Sequence, residues 1–515
     1  MTMQALSLVD MGFLYTETVT SPKHVAGLQI FSTPKNYPGN FSRDLFDNLM
    51  SQQEIKKPFN QKLKKQITGQ YFWQKDNDID LSYHVRFAML PQPGNEDQLL
   101  SFVEHQHETL LDRSRPLWEM ILIDGLTDNK FAIYVKVHHA FTDGAKANQL
   151  IMAYLSKNPE SPMTAFWAID HPQKARTEKS ALSLLSDTSK LVTSHVKSIP
   201  SLTKLTTKLL FQAASMYKAD MPTPFMAPKT LFSVSPKRAR RAAMTSLSLS
   251  RVKTLGRITG ATINDVVVTV CDMAIHNYLK TRNVVLKKPL VAQMPISLRD
   301  ASDKVSNNQV AISLVELAYA GEYPLERLMT VKESCVRLKN ETRLLTKEAL
   351  TSYTLASQGL AAASELLHLD TILPPMGNVL ISNVPGPSTP LYMKGAKMDK
   401  CFPISVLPPG MSLNITLYSY NGSIHVGLVA CRSALPDLTE LATYIDDAFT
   451  VLENEVLVSA IETVSDHIYL LSSSQHSDDI KKESVDIISN MVNNTSILSP
   501  RPDVDIEDSR LCETA

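Results

Sequence analysis

No charge of either sign dominates this chain of 515 residues: lysine plus arginine and aspartate plus glutamate each number 52. A balanced total excludes a global field that would draw the protein to nucleic acid, so any anion site has to be local. Cysteine is scarce as well. Cys271, Cys335, Cys401, Cys431 and Cys512 are odd in number, far apart and without a CxxC pair, which argues against a disulfide framework or a zinc knuckle. A reducing cytoplasm fits best, and no metal site is expected. Long apolar runs are missing too: none reaches the roughly 18 residues of a transmembrane span. That leaves open only attachment at a surface, such as the inner face of a membrane or a lipid inclusion. Residues 1–20 carry Asp10 and Glu17 and no basic stretch ahead of an apolar core, so they are not expected to act as a secretory signal. No repeat with a period of 20–50 residues is evident.

What is present is apolar content, 43% of the chain, enough to bury a large core. At roughly 100–200 residues per domain the length suggests two or three domains. Composition divides it into a first half over residues 1–155, a connection over 156–235, a second half over 236–465 and a polar tail over 466–515. The connection is rich in Ser, Thr, Lys and Pro, and its helical stretches are interrupted by Pro200, Pro222, Pro224 and Pro228. Within it Lys190, Lys197, Lys204, Lys208 and Lys218 interleave with leucines. Such a basic amphipathic helix either lies in a lipid interface or packs on its own domain with a solvated lysine face. The tail has few aromatics, and its composition predicts disorder.

From Phe131 the run Phe-Ala-Ile-Tyr-Val-Lys-Val-His-His alternates in the manner of a half-buried strand. Phe131, Ile133, Val135, Val137 and His139 then share the apolar face, and Tyr134, Lys136 and His138 point the other way. A helix-forming run from Ala145 to Leu155 follows, with Asp143 near its start. In the second half, 246–249 reads as a strand and 263–278 as a helix. Residues 290–294 and 310–315 read as further strands, and Leu413–Tyr420 and 423–429 as a hairpin turning at Asn421-Gly422. These are mixed strands, not a parallel Rossmann series.

The segment with chemical content is His138-His139-Ala140-Phe141-Thr142-Asp143-Gly144, at the corner between strand and helix. Two adjacent histidines followed by Asp-Gly make sense if one imidazole is a general base and the Asp fixes the backbone. An unperturbed imidazole is mostly neutral at cytoplasmic pH and able to accept a proton, and burial would keep it so. No Gly-x-Ser-x-Gly elbow is present, and no cysteine has the surroundings of an activated nucleophile.

This segment resembles the HHxxxDG motif of the CoA-dependent acyltransferases, which include chloramphenicol and carnitine acyltransferases and peptide-synthetase condensation domains. Further blocks narrow the resemblance to the bacterial wax ester synthase/acyl-CoA:diacylglycerol acyltransferases. They are Leu6-Ser7-Leu8-Val9-Asp10 with Pro22-Lys23-His24-Val25, then 111–119 containing Pro116-Leu117-Trp118, then Asn264-Asp265. Pro295-Ile296-Ser297-Leu298-Arg299 and Ser382-Asn383-Val384-Pro385-Gly386-Pro387 complete the family's order. Together they span about 6–457. One departure is Ser306-Asn307, where the family often has Gly-Asn, so the backbone there has less freedom.

The resemblance implies an α/β (α+β) fold of two chloramphenicol-acetyltransferase-like halves, with mixed sheets flanked by helices and a tunnel at their interface. It implies an O-acyltransferase in which His139 deprotonates an alcohol that attacks an acyl-CoA thioester directly. Acyl-CoA, with a fatty alcohol or diacylglycerol, would be substrate, and no cofactor is expected. His138 is then structural or a participant. Asp143 pairs with Arg299 or caps the following helix, and Gly144 permits a tight turn or close approach of substrate. Asn264 and Asp265 donate to the oxyanion or cap a helix, and Pro116, Leu117 and Trp118 support the site. The 382–387 block is expected to be a rigid loop near the tunnel. Two other readings remain at this stage: the same fold acting on a polyketide-type or short-chain alcohol, and a catalytically silent lipid-surface protein.

Overall fold

The computed structural model describes residues 3–66, 70–141, 148–149, 152–170, 222, 224–298, 310–369 and 372–473. Among these the first part runs β1 (Met3–Ala5), α1 (Leu8–Thr16), β2 (His24–Ser32), α2 (Phe41–Ser51), β3 (Gln61–Lys65) and β4 (Tyr71–Lys75). It continues through α3 (Leu81–His84), β5 (Val85–Met89), α4 (Glu96–His107), β6 (Trp118–Leu126) and β7 (Lys130–His138). The second part opens with β8 (Arg240–Ser248), α5 (Leu249–Thr259), α6 (Ile263–Lys280), β9 (Val291–Ser297), β10 (Val310–Glu316), α7 (Pro324–Arg343) and α8 (Lys347–Leu366). It ends with β11 (Val379–Val384), β12 (Tyr392–Met393), β13 (Ala396–Ile404), β14 (Leu413–Tyr420), β15 (Ser423–Cys431) and α9 (Leu438–Ser473).

The strands form two six-stranded mixed sheets, ordered β12-β13-β2-β7-β6-β5 and β10-β9-β11-β14-β15-β8, and a small sheet β1-β4-β3. The expected hairpin is there: β14 and β15 pair antiparallel, closing at Tyr420 opposite Ser423. The strands expected over 290–294 and 310–315 are β9 and β10, and the helix expected over 263–278 is α6. The strand expected over 246–249 is the end of the longer β8, and Leu249 already belongs to α5.

Two boundaries differ from the sequence reading. β12 and β13 come from the C-terminal half in sequence, yet they complete the first sheet, with β13 antiparallel to β2 from Lys397 opposite Ser32 to Ile404 opposite Ala26. The halves are therefore joined by a shared sheet as well as by the connection. Helix α9 runs to Ser473, past the expected start of the polar tail at residue 466. The lysine-rich run 190–218, the Ser306-Asn307 departure and the chain beyond 473 lie outside the described residues.

β7 is also not half-buried: from Phe131 to His138 every residue is buried. The parity expected from its sequence holds, but both faces are covered. Phe131, Ile133, Val135 and Val137 join Trp118, Phe166 and Trp167 in the core of the first half. Ala132 and Tyr134 face a second cluster with Ala242, Met244, Phe402, Ile404 and Val429, which is the seam between the halves. Lys136 ends up buried there, its ammonium donating to the carbonyls of Gln106 and Thr109 at 3.0 Å each and lying 3.5 Å from Glu119. The end of α4 thus supplies the acceptors that make a buried cation tolerable.

At the seam the two sheets approach closely. Gly427 of β15 lies under β13, where a Cβ would come 1.8 Å from the carbonyl oxygen of Pro403, so only a residue without a side chain fits. The edge strand β8 is covered from the first half by Glu104 of α4, which accepts the Ala242 N–H at 2.9 Å and the Arg432 guanidinium at 3.1 Å. That contact removes a free strand edge.

Candidate active site

The site begins with α1. Ser7 and Asp10 form a reciprocal capping box, each side chain accepting the other's N–H at 3.1 Å, which gives the Leu-Ser-Leu-Val-Asp block a physical role. The helix they start carries Phe13 and ends at Glu17. Both residues reach the histidine corner.

His138 closes β7. Its ring is fully buried; Nδ1 accepts the N–H of Ala140 at 3.0 Å, so in the neutral ring the proton is on Nε2. Nε2 lies 3.2 Å from Oε1 of Glu17, within ion-pair distance though off the line of a well-formed hydrogen bond. Glu17 also accepts the Lys23 N–H at 3.0 Å through Oε1, and the Arg113 guanidinium at 2.9 Å through Oε2. Burial alone would raise its carboxyl, but His138, the Lys23 N–H and Arg113 outweigh it and bring the pKa to about 2,.

His139 follows the strand instead of ending it, and it is only partly buried. Its N–H donates to the Lys23 carbonyl at 2.7 Å, extending the β2–β7 ladder by one step. Its ring stacks on Phe13 with centroids 4.1 Å apart and planes at 19°, so an aromatic face holds the plane of the imidazole. Glu17, Phe13 and Lys23 therefore define both histidines. Sequence reasoning missed Phe13 and counted Glu17 only as a charge, because the contact spans more than a hundred residues.

The other expected site residues divide. Asp143, Gly144 and Arg299 lie outside the described residues. Pro116, Leu117 and Trp118 are buried, and the Leu117 carbonyl accepts the His138 N–H at 3.0 Å. Trp118 donates to the Phe59 carbonyl at 2.9 Å and stacks between His84 and Trp167, with centroids at 4.6 and 5.6 Å. This block supports the strand from within the core. Asp265 closes the capping box of α6, its Oδ2 accepting the Thr262 N–H at 2.8 Å and its own N–H reaching Thr262 Oγ1 at 3.2 Å. Asp265 thus serves the helix cap, and Asn264 lies beside it in the first turn of α6, which packs among α5, α7 and α9.

Ser382, Asn383 and Val384 form the end of β11, so only Pro385 onward is loop. There a Cβ on Gly386 would meet the Ser419 carbonyl at 2.3 Å. Of the cysteines, Cys271 and Cys401 are buried, with thiols pushed up to about 12 by burial, the reverse of an activated nucleophile.

Comparison with known proteins gives the family. Residues 6–267 match the wax ester synthase/diacylglycerol acyltransferase catalytic domain, and residues 306–453 match the corresponding C-terminal domain. The Mycobacterium tuberculosis protein named probable diacylglycerol O-acyltransferase tgs2 is 36% identical over 87% of this chain and 98% of its own length. The Acinetobacter baylyi protein named O-acyltransferase WSD is 33% identical over 88% and 98%. Among solved structures, the wax ester synthase/diacylglycerol acyltransferase from Marinobacter aquaeolei VT8 superimposes with a TM-score of 0.69 at 34% identity, covering 88% of this chain and all of that one. The first condensation domain of the calcium-dependent antibiotic synthetase shares the fold alone, with a TM-score of 0.55 at 13% identity over 88% of this chain and 96% of that one. With a catalytic-domain match across its first half and relatives aligned along nearly their whole length, this chain belongs to the wax ester synthase/diacylglycerol acyltransferase family.

Proposed function

We propose that this protein transfers a fatty acyl group from acyl-CoA to the hydroxyl of a long-chain alcohol, of diacylglycerol, or of both, with His139 as general base. The observation that carries the assignment is the asymmetry of the histidine pair. His138 is sealed, one nitrogen taking the Ala140 N–H and the other facing Glu17. His139 is held by its backbone and by Phe13 and remains partly exposed.

In this reaction the imidazole of His139 takes the hydroxyl proton as the oxygen attacks the thioester carbonyl. The new C–O bond forms, the C–S bond breaks, and the proton passes from the imidazole to the departing CoA sulfur. The products are an ester and free CoA thiol, with no acyl-enzyme and no resident cofactor in the scheme. Asp143, with Arg299 or as a helix cap, would hold the turn that follows. General base assistance contributes about 10²–10⁴ in rate, and positioning of the two substrates supplies much of the remainder.

Peripheral attachment to lipid belongs to the same proposal. No single helix among the described residues is long and apolar enough to cross a membrane. At and after the end of α8, however, Leu366, Leu367, Ile372 and Leu373 are exposed, as is Met226, and Leu373 and Phe225 line one small cavity. Exposed aliphatic side chains of this kind support contact with a neutral lipid phase, where the acceptors reside.

The test is acceptor-dependent release of thiol from palmitoyl-CoA, with hexadecanol, dioleoylglycerol and a series of shorter alcohols offered separately. The expected result is release that requires a long-chain acceptor and drops by about 10²–10⁴ in His139→Ala. Release with none of the acceptors, or an unaffected His139→Ala variant, would overturn the proposal.

A further inference from the structure

The residues that hold the histidine pair are grouped in a short strap, Glu17 to Lys23, between α1 and β2. It is closed on itself. Thr18 and Ser21 exchange backbone hydrogen bonds at 3.3 and 3.1 Å, Thr18 Oγ1 also accepts the Ser21 N–H at 3.0 Å, and the Lys23 ammonium donates to Ser21 Oγ at 2.8 Å. The Glu17 carboxylate accepts the Lys23 N–H, tying one end to the other. One end of this small rigid piece faces His138 and the other carries the carbonyl that receives the His139 N–H.

The strap is held from the other half of the molecule. Arg240, the first residue of β8, is 3% exposed, and its Nη2 donates to the Thr20 carbonyl at 2.9 Å. Its Nη1 donates to the carbonyls of Lys237 and Arg238. Glu365 of α8 favours the charge of Lys23 in the same strap, and Arg240 itself opposes it. Among the described residues, every hydrogen-bond acceptor of the Arg240 guanidinium is a neutral carbonyl. A buried guanidinium bonded to carbonyls alone is a costly way to join two halves, since apolar packing does so without desolvating a charge. What it adds is a directed bond to the backbone that sets both histidines.

We infer that Arg240 is a positioning residue for the acyl transfer: from the second half it fixes the Glu17–Lys23 strap, and through it the placement of His139. The inference rests on the proposed role of His139. It makes alignment of the base depend on docking of the halves, so that a shift of the strap degrades turnover while the substrate-binding surfaces stay in place. Misplacement of a reacting group by about 1 Å can cost on the order of 10²-fold in rate.

The test compares Arg240→Gln, Arg240→Lys and Glu104→Gln in the full-length protein, assayed by thiol release from palmitoyl-CoA with the acceptor that the wild type uses. Glu104 is the control because it bridges α4 to Ala242 and Arg432 without touching the strap. In Arg240→Gln, kcat is expected to fall by about tenfold or more, with KM for palmitoyl-CoA within about twofold. Arg240→Lys is expected to lie between that variant and the wild type, because it keeps a donor and the charge. Glu104→Gln is expected to retain most of the wild-type kcat. Histidine-selective NMR should show the His139 ring signals shifted in Arg240→Gln and unmoved in Glu104→Gln.

Equal loss of kcat in Arg240→Gln and Glu104→Gln would reduce Arg240 to a general clamp and overturn the inference, as would wild-type kcat in a folded Arg240→Gln. Should Arg240→Gln fail to fold, Arg240→Lys decides: a lower kcat at unchanged KM supports the inference, and wild-type kcat defeats it. An inactive wild type would instead defeat the proposed function, so the two failures are distinguishable.

Discussion

Glu17 Oε1 lies 3.2 Å from Nε2 of His138, while its other oxygen receives Arg113 at 2.9 Å. A carboxylate that is 2% exposed thus orients the structural histidine from a helix end far from it in sequence. Removing it leaves Arg113 without its anion and the His138 ring without the carboxylate it faces. Glu17→Ala is therefore expected to cost about 1–3 kcal/mol of stability, since the Arg113 left behind is partly solvated and the lost contacts are hydrogen bonds to a buried carboxylate, and to lower kcat as well. Urea unfolding and turnover, measured on one preparation, check both.

The two histidines should respond differently to substitution. His138→Gln is expected to lose about 1–3 kcal/mol of stability from its disturbed buried hydrogen bonding, with kcat at least about tenfold above that of His139→Ala. His139→Ala should keep nearly wild-type stability. If turnover fell equally in both variants and stability in neither, the division of roles would be wrong.

Acid should loosen the seam between the halves. His24 donates through Nε2 to the His107 carbonyl at 2.6 Å, and His107 meets Tyr134 at 2.9 Å. Burial, joined by neighbouring cations, holds His24 well below the usual range and His107 at about 3. In the unfolded chain both titrate near 6.5, so below that pH the unfolded state binds more protons and gains stability relative to the native one. Native stability should fall as pH drops from about 6.5, by about 1.4 kcal/mol per pH unit for each histidine. For His107 the fall continues to about pH 3. Chemical denaturation between pH 7 and 5 measures the slope, and His107→Gln should flatten it. An unchanged slope in that variant would remove His107 from the account.

Thr262→Ala offers a direct test of what the Asn264-Asp265 block does. If Asp265 serves the capping box, the variant loses about 1 kcal/mol and retains its kcat. A large loss of turnover at unchanged stability would return the block to the reaction.

Much of this was legible in the sequence where the determinants are local. The β14–β15 hairpin announces itself through Asn421-Gly422 between two apolar strands, and the histidine corner through seven consecutive residues. β13 could not be read in the same way. Its sequence, Ala-Lys-Met-Asp-Lys-Cys-Phe-Pro-Ile, holds three charges and a proline, and its register shifts between Met398 and Lys400. Only its pairing with β2, more than 360 residues earlier, makes it a strand. β7 misled for a related reason: alternation suggested one wet face, but the seam covers it, and Lys136 survives there only because the end of α4 offers carbonyls. Likewise, Phe13 and Glu17 carry no local mark of function until α1 is laid against the corner.

The lending of β13 to the first sheet has a consequence for how the chain can be divided. A fragment ending before residue 222 would leave β2, from Ala26 to Ser32, as a raw border with unpaired amides and carbonyls, an invitation to stick to other copies. Its complement would carry β13 with no sheet to join. Separately produced, 1–221 should aggregate, whereas both fragments made together in one cell should heal into a single particle. Pull-down of one tagged fragment by the other reads the outcome, and a monomeric, well-folded 1–221 on its own would show that the loan is dispensable.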